Sequence, residues 1–159
     1  VKTFWGAEIR TPHSKQTGGT EFTVLGFDRE VFYREPLLFT LSQQELFELA
    51  NAENAFMYQT HPFRRGVALG DPKYMHGAEY FNGHVNHVNN NDLAKEFCDK
   101  FGLIKTCGTD FHDQGQPVTS YALIDDDINT DIELKEYIKA GKLQIFGDEE
   151  KYLSLCRKK

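Results

Sequence analysis

Cysteines are scarce in the sequence and long apolar runs are absent, and each of these shortages excludes some classes of protein. It contains three cysteines in 159 residues, an odd number at wide spacing, so neither a disulfide framework nor a zinc knuckle is indicated. No apolar run approaches the length needed to cross a bilayer, and no segment resembles a signal peptide. We therefore expect a cytoplasmic protein with reduced cysteines and no membrane partner.

Positive charge is also scarce. The chain has 18 lysines and arginines against 24 acidic residues, which gives a formal net charge of -6 at pH 7. This balance argues against a general nucleic-acid-binding surface and leaves a nucleotide only as a small substrate. Apolar residues make up 40% of the chain and charged residues 26%, which is typical of a globular domain with a real core. No internal repeat or linker divides residues 1–159, so we expect a single domain.

Strand-like and helix-like patterns alternate through the middle of the chain. Strands are predicted at 2–10, 22–27, 56–60, 78–81, 103–107, 118–124 and 142–146, and helices at 42–54, 91–101, 130–140 and from 148 onward. The segment 29–40 is predicted to be irregular because Pro36 interrupts it. Alternation of this kind predicts parallel βα units, in which ligands gather at the carboxyl ends of the strands.

Asp110 and His112 follow the apolar run 103–107 directly. Alternate residues of an extended chain point to the same side, so the carboxylate and the imidazole can enter one cavity. Gly108 between them and the strand permits close backbone approach. The spacing predicts a pair of metal ligands at a strand end.

Two further strand-like runs carry candidate ligands. His61 follows the run 56–60, and Glu8 follows the run 4–7, so each is predicted at a strand end. Each has a simpler explanation when taken alone, since His61 could only end a strand and Glu8 could occupy an exposed alternate position. Together with Asp110 they predict three strands that supply one metal site.

Cationic and imidazole side chains are expected near the same site. Arg64 and Arg65 follow His61 and would suit phosphate recognition, with a surface salt bridge as the alternative. Glu79 is either a ligand or a carboxylate that orients one. The remaining histidines of the middle region have open roles, either in a loop near the substrate or as ligands: His76, His84 and His87.

Four motifs in this order resemble the PHP superfamily, the polymerase and histidinol phosphatase metal-dependent phosphoesterases. They are Gly6-Ala7-Glu8, His61-Pro62-Phe63-Arg64, Glu79-Tyr80-Phe81-Asn82-Gly83 and Gly108-Thr109-Asp110-Phe111-His112. The resemblance implies a distorted (β/α)7 TIM-like barrel, of which residues 1–159 would be the C-terminal two thirds. The His-x-His motif that opens such domains does not occur here, and the chain starts at Val1 without an initiator methionine, so we expect it to lack an amino-terminal portion.

The resemblance also implies a set of metal ligands and a cofactor. Glu8 would bridge two metals, His61, Asp110 and His112 would be ligands, and Asp28 stands where many members place a histidine ligand. The cofactor would be two or three divalent ions of zinc, manganese or iron.

The function expected from these residues is metal-dependent hydrolysis of a small phosphorylated substrate, a phosphomonoester or a phosphodiester. Asp110 would hold a metal and orient the attacking water, and His112 would ligate metal or donate a proton. The alternative is a non-catalytic, degenerate PHP-like module for metal binding or interaction. A hydrolase of C–N bonds ranks last, because the lysine it needs, Lys105, lies an odd number of residues from Asp110 and points away.

Overall fold

The computed structural model describes residues 2–12 and 18–156. Its strands are β1 (Gly6–Thr11), β2 (Thr20–Leu25), β3 (Phe56–Gln59), β4 (Gly77–Asn82), β5 (Ile104–Gly108), β6 (Ser120–Leu123) and β7 (Gln144–Gly147). Its α-helices are α1 (Arg29–Arg34), α2 (Gln43–Ala52), α3 (Asn91–Phe101), α4 (Asp131–Lys139) and α5 (Glu149–Leu155). Two single-turn 3-10 helices span Leu38–Thr40 and Pro72–Tyr74.

Local signals set the ends of the longer helices. Ser42 and Glu45 form the capping box expected at the start of α2, and Thr130 with Glu133 does the same for α4. Gly102 ends α3 in the left-handed conformation, with φ of 62°. The predicted irregular segment 29–40 is wrong in its first part, where a short helix, α1, begins after a side-chain cap.

The main sheet has five strands in the order β1-β2-β3-β4-β5. β2 is antiparallel to both of its neighbours, whereas β3, β4 and β5 run parallel. β6 and β7 pair antiparallel in a separate two-stranded sheet. The predicted parallel units are therefore present, but only in the second half of the main sheet.

The expected (β/α)7 TIM-like barrel is wrong. The described residues form an open, mixed sheet with β1 and β5 at its edges, and no closed barrel. A barrel of this type needs strands that all run parallel and a first strand that pairs with the last. Here β2 pairs antiparallel with both β1 and β3. The fold is a small α/β domain built on a mixed sheet.

Strand direction decides which residues meet at the site. β1 and β3 are both antiparallel to β2 and so run the same way. The carboxyl ends of β3, β4 and β5 lie together at one end of the strands, which is called an edge of the sheet from here on. The beginning of β2 lies at that same edge, since Phe22 pairs with Gln59. The end of β2 lies at the opposite edge, where Leu25 pairs with Phe56.

The core lies between the main sheet and helices α2 and α3. Phe22, Val24 and Met57 of the sheet are at most 1% exposed and pack in one cluster with Leu46 of α2 and Phe97 of α3. A smaller cluster joins Phe81, Val85 and Tyr152. Within the described ranges, no helix combines the length and the apolar character that crossing a membrane requires.

Candidate metal centre

Three predicted ligands come together at the end of the sheet where β3, β4 and β5 have their carboxyl ends. Glu8, His61 and Asp110 each offer a ligand atom, and these atoms all lie within 4.8 Å of one another. Ligands at about 2.1 Å from one ion lie up to about 4.2 Å apart, so small side-chain movements would suffice to bind it. The structure thus joins residues that are 53 and 49 positions apart in sequence.

The chemistry of His61 fits a metal ligand. The residue is 2% exposed, and its Nδ1 is one of two buried side-chain atoms in the described chain without a hydrogen-bond partner. Burial, followed by the charge of Arg64, lowers the pKa of His61 to about 4. The imidazole is therefore neutral at neutral pH, which is the form that binds metal.

Two of the three candidate ligands have unusual backbone geometry. His61 has φ of 30° and Asp110 has φ of 45°, in the region that L-residues seldom adopt. Such conformations cost free energy and persist when surrounding structure fixes them, often at functional sites. Both residues lie just beyond the ends of parallel strands, where this backbone turn directs their side chains into the cavity wall.

Both carboxylate oxygens of Asp110 are engaged. Oδ2 accepts a short hydrogen bond from Nη1 of Arg64, and Oδ1 lies 2.8 Å from Nε2 of His112. Burial by itself raises the pKa of Asp110, but the hydrogen bond and charge of Arg64 outweigh burial and set the pKa below its ordinary value. Asp110 is therefore ionised at neutral pH, which is the state that a metal ligand needs.

Arg64 is fixed by two buried asparagines as well as by Asp110. Its Nε donates to Oδ1 of Asn89 at 2.8 Å, and its Nη2 donates to Oδ1 of Asn82 at 3.0 Å. Both asparagines are 1% exposed. The guanidinium is therefore held in one orientation beside the ligand cluster, as phosphate recognition requires.

Glu8 completes the cluster from a more open position. It is an exposed residue in the middle of β1, not at a strand end as predicted. Partial desolvation of the carboxylate, then the nearby charges of Glu21 and Asp110, raise the pKa of Glu8. A cation placed among these carboxylates would relieve their mutual repulsion.

Glu79 supports the site from behind and is not placed to be a ligand. Its Oε2 accepts hydrogen bonds from the backbone N–H of His61 at 2.7 Å and from Nδ2 of Asn82 at 2.8 Å. Gly108 lets it approach, because a Cβ there would lie 2.0 Å from Oε1 of Glu79. Burial raises the pKa of Glu79 to about 7. Of the two roles left open by the sequence, the orienting one matches this geometry.

The other predicted site residues have different positions. A cavity of about 410 Å³ is lined by the three candidate ligands. Arg65 and His112 are both exposed and line the same cavity. Asp28 follows the end of β2 at the opposite edge of the sheet, where its Oδ1 accepts a hydrogen bond from Glu30 N at 3.0 Å. Asp28 is a helix cap and does not join the ligand cluster.

The three histidines with open roles separate into two places. His76 lies away from the site, accepts a hydrogen bond from Met57 N at 3.0 Å, and stacks on Phe56. His84 and His87 have ring centres 4.7 Å apart, and His84 lies 6.3 Å from His112. His87 lines the cavity.

Sequence reasoning missed Glu21 and the roles of Asn82 and Asn89. Oε2 of Glu21 lies 3.4 Å from Nε2 of His61, and Arg10, its neighbour across the strands, pairs with it. Glu21 reaches the site because antiparallel β2 begins at that edge. No pattern in the sequence reveals this, since it depends on which strands are neighbours.

Comparison with known proteins adds information on the fold alone. No protein-family model matches the chain, and no curated protein matches it. The crystal structure of PsfC from Pseudomonas syringae PB-5123 is similar, with a TM-score of 0.59 and 17% sequence identity. The similarity covers 83% of this chain and 55% of PsfC, so the chain spans about half the length of that protein.

Proposed function

We propose that the chain carries the active site of a metal-dependent phosphoesterase, which hydrolyses a small phosphomonoester or phosphodiester. One observation supports this most strongly: an imidazole and two carboxylates converge within 4.8 Å beside a fixed guanidinium. Carboxylate and imidazole donors suit zinc, manganese and iron. We further propose a cytoplasmic location and a relation to the PHP superfamily, which rests on these ligands and their motifs.

Each group of the chain has a defined task in this proposal. Glu8, His61 and Asp110 would hold the cation, which supplies Lewis acidity for activating water and neutralising phosphoryl charge. Arg64 would bind a phosphoryl oxygen and stabilise negative charge that develops there. His112 is exposed and hydrogen-bonded to Asp110, a suitable place for a group that donates a proton to the leaving oxygen.

The second candidate function is a non-catalytic metal-binding or interaction module. The ion pair between Arg64 and Asp110 favours it, because that pair and His112 occupy both oxygens of Asp110 with the chain's own groups. In a catalytic site the guanidinium must share Asp110 with a cation. Metal content separates the two functions, since a degenerate module would retain less than one ion per chain.

The test is hydrolysis of 4-nitrophenyl phosphate and bis(4-nitrophenyl) phosphate with zinc or manganese added, together with metal analysis. Asp110→Asn should lower kcat/KM by roughly 100-fold or more, because it removes an anionic ligand that also anchors Arg64. Bound metal should fall in parallel.

Asp28→Asn is the matched control, because the same chemical change at a helix cap far from the cluster leaves a good capping residue. It should keep wild-type kcat/KM and metal content. The proposal is overturned if the metal-loaded wild type hydrolyses neither ester, or if Asp110→Asn is as active as Asp28→Asn.

A further inference from the structure

His84 lies in the loop between β4 and α3, beside the candidate centre. It is 4% exposed, and its ring neighbours those of His87 and His112, both of which line the cavity. The metal triad does not include it. We therefore look for a chemical role of this buried imidazole other than that of a fourth metal ligand.

The hydrogen bonds of His84 determine which ring nitrogen carries the proton. The backbone N–H of Asn86 donates to Nδ1 at 3.2 Å. An Nδ1 that accepts a hydrogen bond has no proton, so the neutral ring carries its proton on Nε2. This tautomer is a donor at Nε2 and cannot bind metal there. The geometry thus favours a hydrogen-bond donor over a metal ligand.

The other ring nitrogen, Nε2, has no such partner in the described part of the chain. No hydrogen bond joins it to another described residue, and the only buried side-chain atoms without partners in the described chain are Nδ1 of His61 and Oγ1 of Thr106. Nε2 of His84 is therefore open to water. A ligand oxygen could replace that water.

The same buried asparagines fix His84 and Arg64 together. Oδ1 of Asn82 accepts from the backbone N–H of His84 at 3.0 Å and from Nη2 of Arg64 at 3.0 Å. Nδ2 of Asn89 donates to the carbonyl of His84 at 3.2 Å, while its Oδ1 accepts from Nε of Arg64. The donor histidine and the guanidinium are parts of one rigid framework.

Arg64 retains hydrogen-bonding capacity for a ligand. A guanidinium has five N–H donors, and three of them are used by Asn89, Asp110 and Asn82. The remaining donors on Nη1 and Nη2 are available to an anion. Nε2 of His84 would add a neutral imidazole donor beside this cation, since Arg64 and the backbone of His84 share Oδ1 of Asn82.

We propose that Nε2–H of His84 donates a hydrogen bond to an oxygen of the phosphoryl group that Arg64 binds. This inference rests on the proposed function for the identity of the anion. His84 acts as a neutral donor, so its contribution does not require protonation of the ring. It contacts substrate and is distinct from His112, the proposed proton donor.

The first experiment observes the imidazole directly in the wild-type chain, with nitrogen-15-labelled histidine. Long-range proton–nitrogen NMR should show His84 as the Nε2–H tautomer, and inorganic phosphate should shift its Nε2 and Nε2–H signals. Potassium chloride at matched ionic strength should not. The signals of His76, which lies away from the site, serve as an internal control.

Variants then test the donor. His84→Phe should weaken phosphate binding by roughly 10-fold, which is the usual effect of losing one hydrogen bond to a charged group. His84→Gln, whose amide can donate, should recover most of the affinity. Asn86→Ala is the matched loop control, because the Nδ1 contact uses only its backbone, and it should bind phosphate as the wild type does.

The outcomes separate this inference from the proposed function. An Nδ1–H tautomer, or signals of His84 that phosphate leaves unmoved, overturns the donor role even if the protein hydrolyses phosphoesters. A phosphate-dependent shift, with affinity lost in His84→Phe and recovered in His84→Gln, supports it even if hydrolysis is absent.

Discussion

Single side chains in this protein owe their chemistry to buried partners. Asp110 is ionised because Arg64 pairs with it, and Arg64 is oriented because Asn82 and Asn89 each accept one further hydrogen bond from it. Glu79 holds the backbone of His61. A buried carboxyl of this kind is costly to ionise unless its hydrogen bonds compensate.

Glu79 should make the protein less stable as pH rises. Its pKa is about 7 in the folded chain against an ordinary value of 4.5 for a glutamate, so between these two pH values the folded state binds more protons than the unfolded state. The free energy of unfolding then falls as pH rises through this window, by an amount on the order of a few kcal/mol.

Glu79→Gln should remove this dependence while keeping an acceptor for His61 N–H. We expect the difference in unfolding free energy between Glu79→Gln and wild type to grow from pH 4.5 to 7 and to level off above. Urea titrations across that range measure it, with the exposed Glu48→Gln as the control. A difference for Glu79→Gln that stays constant with pH would refute the assignment.

At the scale of helices and strands, direction and capping determine where side chains lie. Antiparallel β2 brings Glu21 to the site and carries Asp28 away from it. Helix α2 begins at a capping box and buries Leu46 and Ala50 in the core cluster that also contains Met57 of β3. The start of α2 is thus linked through packing to the strand that positions His61.

Removal of the α2 cap should lower stability without touching the site. Ser42→Ala removes the hydroxyl that accepts from Glu45 N and donates to Oε2 of Glu45, while the backbone N–H of residue 42 can still donate to that carboxylate. We expect this loss to cost about 1 kcal/mol of unfolding free energy. Chemical denaturation measures this cost. The hydroxyl of Ser154 donates a hydrogen bond to the carbonyl of Lys151 within α5 and caps no helix start. Ser154→Ala should therefore cost clearly less, and equal costs would contradict the capping role.

At the scale of the whole molecule, one apolar cluster links both halves of the main sheet. It includes Ile9 of β1, Val24 of β2, Met57 of β3 and Ala78 of β4, with helices on the same face. Strands that share a core should lose their structure together. We therefore expect unfolding of this sheet to be a single cooperative transition.

Leu46→Ala should shift that transition as a unit. Leu46 is 0% exposed, so its truncation should cost roughly 2 to 5 kcal/mol, whereas Leu153→Ala, at a side chain that is 57% exposed, should cost under about 0.5 kcal/mol. Circular dichroism and the fluorescence of Trp5 should report the same midpoint for each protein. Midpoints that separate would show that β1 unfolds independently.

The sequence by itself determined what depends on neighbours along the chain. The capping boxes at Ser42 and Thr130, the stop at Gly102, and the approximate bounds of α2 and α3 follow from hydrogen bonds within one turn and from helical periodicity. Motif spacing also selected His61 and Asp110, because residues just past the ends of parallel strands meet at one edge.

Only the tertiary structure decided which strands are neighbours and in which direction they run. An apolar run has the same pattern in a parallel barrel and in a mixed open sheet, so the barrel expected from the sequence was wrong and Asp28 was assigned to a site it does not reach. The contribution of Glu21 and the framework of Asn82 and Asn89 arise from contacts between distant segments. Local patterns do not encode such contacts, because long-range packing selects them.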